Sequence, residues 1–486
     1  MTEHNGSSSL TLLTDFYELS MMQGYLLQKE NPSVVFDMFF RRQPFGGGFA
    51  VFAGLEDLLK YVSSIAFSQE DLAYLGSLGA FHQEFLDYLA AFRFTGDIWT
   101  MEEGTLAFPG EPLVRVHGSL METQLIESAL LAIINFQTLI ATKSARVKQA
   151  ANGGTVIEFG LRRAQGIDGA LSASRAAFIG GADATSNTLA GKRFGIPVRG
   201  TMAHSWVMAF SNEREAFEKY AEIYPDGALL LIDTYDTLGS GIDNAVAVGR
   251  KLKAAGHGNF GVRLDSGDLE YLSKNVRKRL DDEGLTDAKI VASNELDENI
   301  IHQLITQGAP VDIWGVGTNL VTARGDPALT GVYKIAAREK NGRYVPTIKV
   351  SNNPEKTTNP GVKQVWRFTN EGKSPVADLI CLVEEEVTAG KAYTFHHPSG
   401  DYRKFVLSEY AAATPLLKLA MKAGKIVGGL PSISAIRSKA CQELDLLDDT
   451  FKRLINPHVY RVSLSDKLAV MKTLLVKENL ADGRHR

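Results

Sequence analysis

Between residues 155 and 336 short apolar runs alternate with polar or glycine-rich clusters and helix-like spacers, and this alternation constrains the fold more than any other feature. The runs are TVIEFG (155–160), AAFIGG (176–181), IPVRGTMAHS (196–205), LLLIDTYD (229–236), NFGVRLDSGD (259–268), KIVASNE (289–295), VDIWGVGT (311–318) and GVYKIA (331–336). Spacers such as LEYLSKNVRKRLDDEG (269–284) carry a charged face and end on glycine, as helices do. Strand-like runs separated mostly by about 20 to 30 residues predict an α/β fold, an irregular (β/α)8-type barrel over 151–336.

The flanks read differently. VVFDMFF (34–40) and TLAFPGEPLVRVH (105–117) predict antiparallel strands, with helical stretches such as LEDLLKYVSSI between them. The tail mixes strand-like YVPTIKVS and YRKFVL with a polar loop, NNPEKTTNPGVKQ. The expected organisation is therefore an N-terminal α+β segment (1–150), the barrel (151–336) and a C-terminal segment (337–486) that completes one α+β domain from both chain ends.

The chain's 486 residues carry a formal net charge of −4 with 44% hydrophobic residues, so no basic excess favours nucleic acid or an anionic membrane. Cys381 and Cys441 are the two cysteines; their separation suggests neither a disulfide framework nor a zinc site, and a cytoplasmic location is expected. The apolar stretch 128–142 contains Asn and Gln and falls short of the roughly 18 residues of a membrane span, so it is expected to be a buried helix. MTEHNGSSS lacks a signal-peptide core and is expected to be a disordered lead.

In such barrels chemistry collects where the strands end. Here the runs are followed by Arg162 and Arg163, Thr201 and His204, Asp233 and Asp236, Arg263 and Asp265, Asn294 and Glu295, then Gly315, Gly317 and Thr318. Loops are polar in any case, but six consecutive clusters rich in Arg, Asp and His go beyond that. Glycines let backbone N–H groups approach an anion, and paired guanidiniums grip phosphate or carboxylate oxygens. The mouth so described suits a sugar phosphate handled with Mg²⁺, with carboxylates on hydroxyls or on the metal's waters.

LTDFYELSMMQGY (13–25), EFGLRRAQGIDGALSASRAA (158–177), GTMAHSW, LIDTYDT, VRLDSGDL, SNELDE, WGVGTNLVTA and NPEKTTNPGVKQVWRF together resemble the nicotinate phosphoribosyltransferase family, in order along most of the chain. The resemblance implies an irregular barrel with an α+β domain, and a homodimer whose active sites are shared. It also implies a reaction: nicotinate and phosphoribosyl pyrophosphate give nicotinate mononucleotide and pyrophosphate, with Mg²⁺ and coupled ATP hydrolysis.

Residue by residue, the resemblance places Tyr17 and Phe159 on the two faces of the pyridine ring, Tyr17 from the partner subunit. It assigns the leaving pyrophosphate to Arg162 and Arg263, ribose hydroxyls or Mg²⁺ to Asp265 and Asp233, and the metal or ribose to Asp15. Gly315, Gly317 and Thr318 become the 5′-phosphate cradle, with Thr201 and Asn294 in the same substrate site. His204 becomes the histidine that ATP phosphorylates. Relatives that use nicotinamide carry an aspartate after the second strand, where Ser186 aligns, with Asp183 close by in sequence. Nicotinamide or quinolinate phosphoribosyl transfer, and a non-catalytic pyridine nucleotide sensor, remain the alternatives.

Overall fold

A computed structural model describes residues 10–351, 353, 356–398 and 403–481, in two compact units: residues 1–139 with 328–486, and residues 140–327. The polar lead at 1–9, Asn352, Pro354 and Glu355 of the polar loop, and Tyr402 of YRKFVL lie outside the described residues.

The 140–327 unit is built on a six-stranded sheet. Its strands are β1 (Thr155–Glu158), β2 (Ala184–Thr185), β3 (Ala228–Leu231), β4 (Phe260–Leu264), β5 (Lys289–Ala292) and β6 (Ile313–Val316). Their order is β2-β1-β6-β5-β4-β3 and every pairing is parallel. Parallel strands need both faces covered, and β4 and β5 accordingly read as near-continuous apolar runs, with Val262, Leu264, Ile290 and Ala292 fully buried. Helices such as Ile242–Ala254 and Leu269–Asp282 cover them through Val248, Leu252, Val276 and Leu280.

Three of the expected barrel runs behave otherwise, so the parallel sheet is a partial barrel and not eight strands. AAFIGG closes the helix Ile167–Ile179, because Ala170, Ala173, Ala176 and Ala177 repeat at helical spacing and form its buried face. Gly180 then caps that helix, and Gly181 turns the chain at φ 111°. IPVRGTMAHS contributes one isolated parallel bridge, Thr185 to Val198, since Pro197 has no N–H to extend a ladder. GVYKIA opens the strand Gly331–Lys340, which pairs antiparallel with Ser33–Phe40 in the other unit's sheet.

That other unit carries a seven-stranded sheet joining strands from both chain ends, with Ser33–Phe40 between Gly331–Lys340 and Val114–Ser119. A second six-stranded sheet comes wholly from residues beyond 360. The apolar stretch 128–142 lies within the helix Glu127–Ala150. No helix among the described residues is long and apolar enough to cross a membrane.

Candidate active site

The carboxyl ends of β4 and β5 deliver Arg263, Asp265 and Ser293 to one place. Arg263 uses all three edges of its guanidinium: Nε donates to Ser293 Oγ, Nη1 to Thr201 Oγ1 and Nη2 to Asp265 Oδ1, each at 2.8 Å. Charge-assisted bonds of this kind are worth roughly 1.5–3 kcal/mol apiece, so the fork is fixed before any ligand arrives. Its carbon sits 5.5 Å from the centre of the Phe159 ring, within cation–π range.

Asp265 also accepts from Ser293 Oγ. Burial pushes its carboxyl up, but the Ser293 hydroxyl, Arg263 and His204 outweigh burial and hold it below the ordinary carboxylate range. Asp233 follows β3 with its side chain buried, and its Oδ2 accepts from Asp265 N (2.9 Å) and Ser266 Oγ (2.5 Å). Its Oδ1 is buried and has no hydrogen-bond partner among the described residues.

His204 completes the cluster. Nδ1 lies 3.2 Å from Thr234 Oγ1, while Nε2 stands 4.0 Å from Asp233 Oδ1 and 3.8 Å from Asp265 Oδ2. The imidazole therefore spans a hydroxyl and two carboxylates, with its side chain 42% exposed.

At β1 the chain places Phe159 over Gly315. A Cβ at Gly315 would come within 2.6 Å of the Phe159 ring carbons, and one at Gly317 within 3.1 Å of the Phe159 carbonyl oxygen. Both glycines of GVGT thus make room for Phe159, and the helix that follows from Thr318 is a single turn, Thr318–Val321. After β5, Asn294 and Glu295 take consecutive left-handed conformations, φ 86° and 39°. Asn319 Nδ2 pins this turn by donating to the carbonyls of Glu295 (2.7 Å) and Leu296 (3.1 Å).

Glu158, fully buried at the end of β1, organises the neighbouring turn: its carboxylate accepts from Ser174 Oγ (2.9 Å), Thr185 Oγ1 (2.6 Å) and the Gly160 N–H. Ser186 donates its N–H to the Glu158 carbonyl at 2.9 Å. Asp183 precedes β2 instead of following it, and its Oδ2 accepts from Lys148 Nζ (2.7 Å) and Val156 N (2.9 Å).

Arg263, Asp265, Thr201, His204, Asp233 and Phe159 are thus linked by direct contacts, and Gly315 and Gly317 adjoin Phe159. Arg162 is exposed on the turn Leu161–Arg163. Asp15 and Tyr17 belong to the other unit: Asp15 precedes the helix Phe16–Leu27 and accepts from Ser128 Oγ at 2.6 Å, and Tyr17 is 47% exposed. Ser293, Thr234, Ser266 and Glu158 were not singled out from sequence. The serines and Thr234 sit inside the motifs quoted above, beside charged neighbours that drew attention away from their hydroxyls.

Among the described residues no group of three or more His, Cys, Asp or Glu side chains is set to hold a metal. Mg²⁺ needs less, because it keeps waters and substrate phosphates and takes only one or two protein carboxylates. The unpartnered Asp233 Oδ1 and the Asp265 Oδ2 that faces the same imidazole fit that requirement.

Residues 12–135 match the model of the nicotinate phosphoribosyltransferase N-terminal domain, 155–374 that of the nicotinate phosphoribosyltransferase family and 362–472 that of its C-terminal domain. The nicotinate phosphoribosyltransferase of Bacillus subtilis (strain 168) is 46% identical over 462 residues, covering 94% of this chain and 93% of its own. The crystal structure of human nicotinic acid phosphoribosyltransferase superimposes with a TM-score of 0.83 at 32% identity, over 95% of this chain and 99% of that one. The nicotinate-nucleotide pyrophosphorylase from Pyrococcus furiosus shares the fold, with a TM-score of 0.70 at 22% identity and coverage of 92% and 99%.

Proposed function

The chain belongs to the nicotinate phosphoribosyltransferase family, an enzyme family of NAD salvage, and on that premise we propose how its residues divide the work. The enzyme joins nicotinate to the anomeric carbon of phosphoribosyl pyrophosphate and releases pyrophosphate. Loss of pyrophosphate builds positive charge on the ribose, so fixed charge and positioning carry the catalysis and no nucleophilic side chain is needed.

Arg263, already held by Ser293, Thr201 and Asp265, faces the leaving group with little reorganisation. Asp265 and Asp233 bind ribose hydroxyls or Mg²⁺, and the metal when bound neutralises pyrophosphate oxygens. Phe159 offers one apolar face to the pyridine and Tyr17 of the partner subunit in a homodimer offers the other. Arg162 adds a second cation for pyrophosphate, Asp15 meets the metal or ribose, and Thr318, with the backbone of Gly315 and Gly317, meets the 5′-phosphate beside Asn294. Ser186 is neutral toward a carboxylate, and the carboxylate of Asp183 is already engaged by Lys148, which supports nicotinate over nicotinamide.

ATP is the co-substrate, and His204 receives its γ-phosphoryl group. The observation that carries this reading is the placement of His204 Nε2 beside Asp233 and Asp265, so that added charge on the imidazole is felt by the groups holding ribose and pyrophosphate. The test is pyrophosphate release from nicotinate and phosphoribosyl pyrophosphate, with and without ATP, in the wild type and His204→Ala. ATP should raise apparent substrate affinity in the wild type alone; an equal ATP effect in both proteins rejects the phosphohistidine.

A further inference from the structure

The unit formed by the chain ends contains a cavity of about 220 Å³ between the sheet strands Lys363–Thr369 and Ala412–Pro415 and the helix Ile433–Leu446. None of its lining residues belongs to the 140–327 unit that carries Arg263 and Asp265. Its walls are largely apolar, with Pro375, Pro415, Leu416 and Leu446 among them, and carry a cluster of polar side chains. Arg367 and Thr369 alternate onto one sheet face, and Thr414 pairs with Arg367 in the antiparallel register, so all three present the same side. Thr105, itself 2% exposed, adds a third threonine. Among the described residues none of these three hydroxyls has a hydrogen-bond partner.

Four cations line the same space. Arg367 is locked to Asp378 behind it and to Glu443. Lys418 and Lys439 both hold Glu102, at 2.8 and 3.0 Å. Lys373, on a turn with φ 62°, has no ion-pair partner among the described residues. Glu102 is shared by two lysines while its own side chain remains 49% exposed, and Lys439 also reaches the lining carboxylate of Glu443 at 3.3 Å, so it keeps a partner when Glu102 is displaced. Burial pushes the Glu102 carboxyl up, but Lys418 and Lys439 hold it below the ordinary range, so it stays an anion at neutral pH.

We propose that this cavity is a binding site for a compact phosphate oxyanion, free or as a small phosphomonoester, which displaces Glu102 from Lys418 and Lys439 and takes donors from Thr105, Thr369, Thr414 and Lys373. Hydroxyls and ammonium groups are the donors phosphate uses, and the volume accommodates phosphate together with a small esterified group. Glu102 then acts as a tethered competitor: it keeps the lysines paired when no ligand is present and sets the concentration at which phosphate enters.

The experiment is isothermal titration of the full chain with inorganic phosphate and, in parallel, glycerol 3-phosphate, at constant ionic strength balanced with chloride. Saturable binding should weaken at least tenfold in Lys373→Ala and in Thr369→Val, and tighten at least threefold in Glu102→Gln, where the competitor has lost its charge. Opposite signs from variants on one cavity distinguish occupancy from general damage to the fold, and Lys373 is an exposed turn residue whose loss leaves the core intact. The tighter of the two anions identifies free phosphate or an ester as the natural source. Isotherms that are unchanged in all three variants, or weakened by Glu102→Gln, overturn the proposal.

Discussion

Arg263 and Asp265 stand two residues apart at the end of one strand and face each other, Nη2 to Oδ1 at 2.8 Å, because the strand stops at Leu264 and the backbone turns there. Lysine cannot reproduce this arrangement: one ammonium replaces three directed edges, and Ser293, Thr201 and Asp265 compete for it. Arg263→Lys should lower kcat/KM by roughly 10²-fold, the scale for loss of one preorganised donor at developing charge. Steady-state kinetics and thermal unfolding on the same preparation check this; a variant with wild-type kcat/KM removes Arg263 from the leaving-group site.

Gly315 is required by its neighbour. Alanine there would put Cβ 2.6 Å from the Phe159 ring and 3.3 Å from Ser293 Cβ, so the ring must move away from Arg263. Gly315→Ala should cost about 1–3 kcal/mol of stability, as overpacking does, and raise the KM for nicotinate more than that for phosphoribosyl pyrophosphate. Equal KM changes for both substrates would show that Phe159 does not meet the pyridine.

The legible part of this site was its chemistry, and the illegible part its geometry. Arg263, Asp265, His204 and Asp233 announce themselves as charges interrupting apolar runs, and each does follow, or sits beside, a strand end. AAFIGG misled because a short run of Ala, Phe and Ile has no period of its own; the alanines upstream at 170 and 173 decide for helix. GVYKIA misled because pairing partners are not written in a strand: Gly331–Lys340 finds Ser33–Phe40 some three hundred positions away in sequence. Glu158 escaped notice for a related reason, since its partners Ser174 and Thr185 are distant in sequence and its role appears only once they converge.

Asn319 holds a strained turn. Left-handed Asn294 and Glu295 each cost of order 1 kcal/mol, and the two bonds from the buried Asn319 amide are what oppose that cost. Asn319→Ala should destabilise the protein by about 1–3 kcal/mol and speed amide exchange at 294–296 before it affects the sheet. Urea unfolding with hydrogen exchange checks both; unchanged exchange at the turn would mean that the backbone alone maintains it.

Glu18 gives a pH dependence whose sign can be worked out in advance. It lies fully buried in the helix Phe16–Leu27, where its Oε2 accepts from Gln124 Nε2 at 2.5 Å. Burial is the main reason its carboxyl is pushed up to about 7; hydrogen bonds from Tyr17 and Gln124 work against the shift, and the nearby carboxylates of Glu127 and Asp15 add to it. In the unfolded chain the same group titrates near 4.5, so between those values the folded state binds the extra proton. Stability is therefore greatest below the unfolded pKa and falls as pH rises through the folded one, by at most about 3 kcal/mol at 1.36 kcal/mol per pKa unit. Glu18→Gln keeps the shape and removes the titration, so its stability relative to wild type should grow between pH 5 and 8 and level off above. Denaturant midpoints across that range measure it, and parallel wild-type and variant curves would show that Glu18 is ionised throughout.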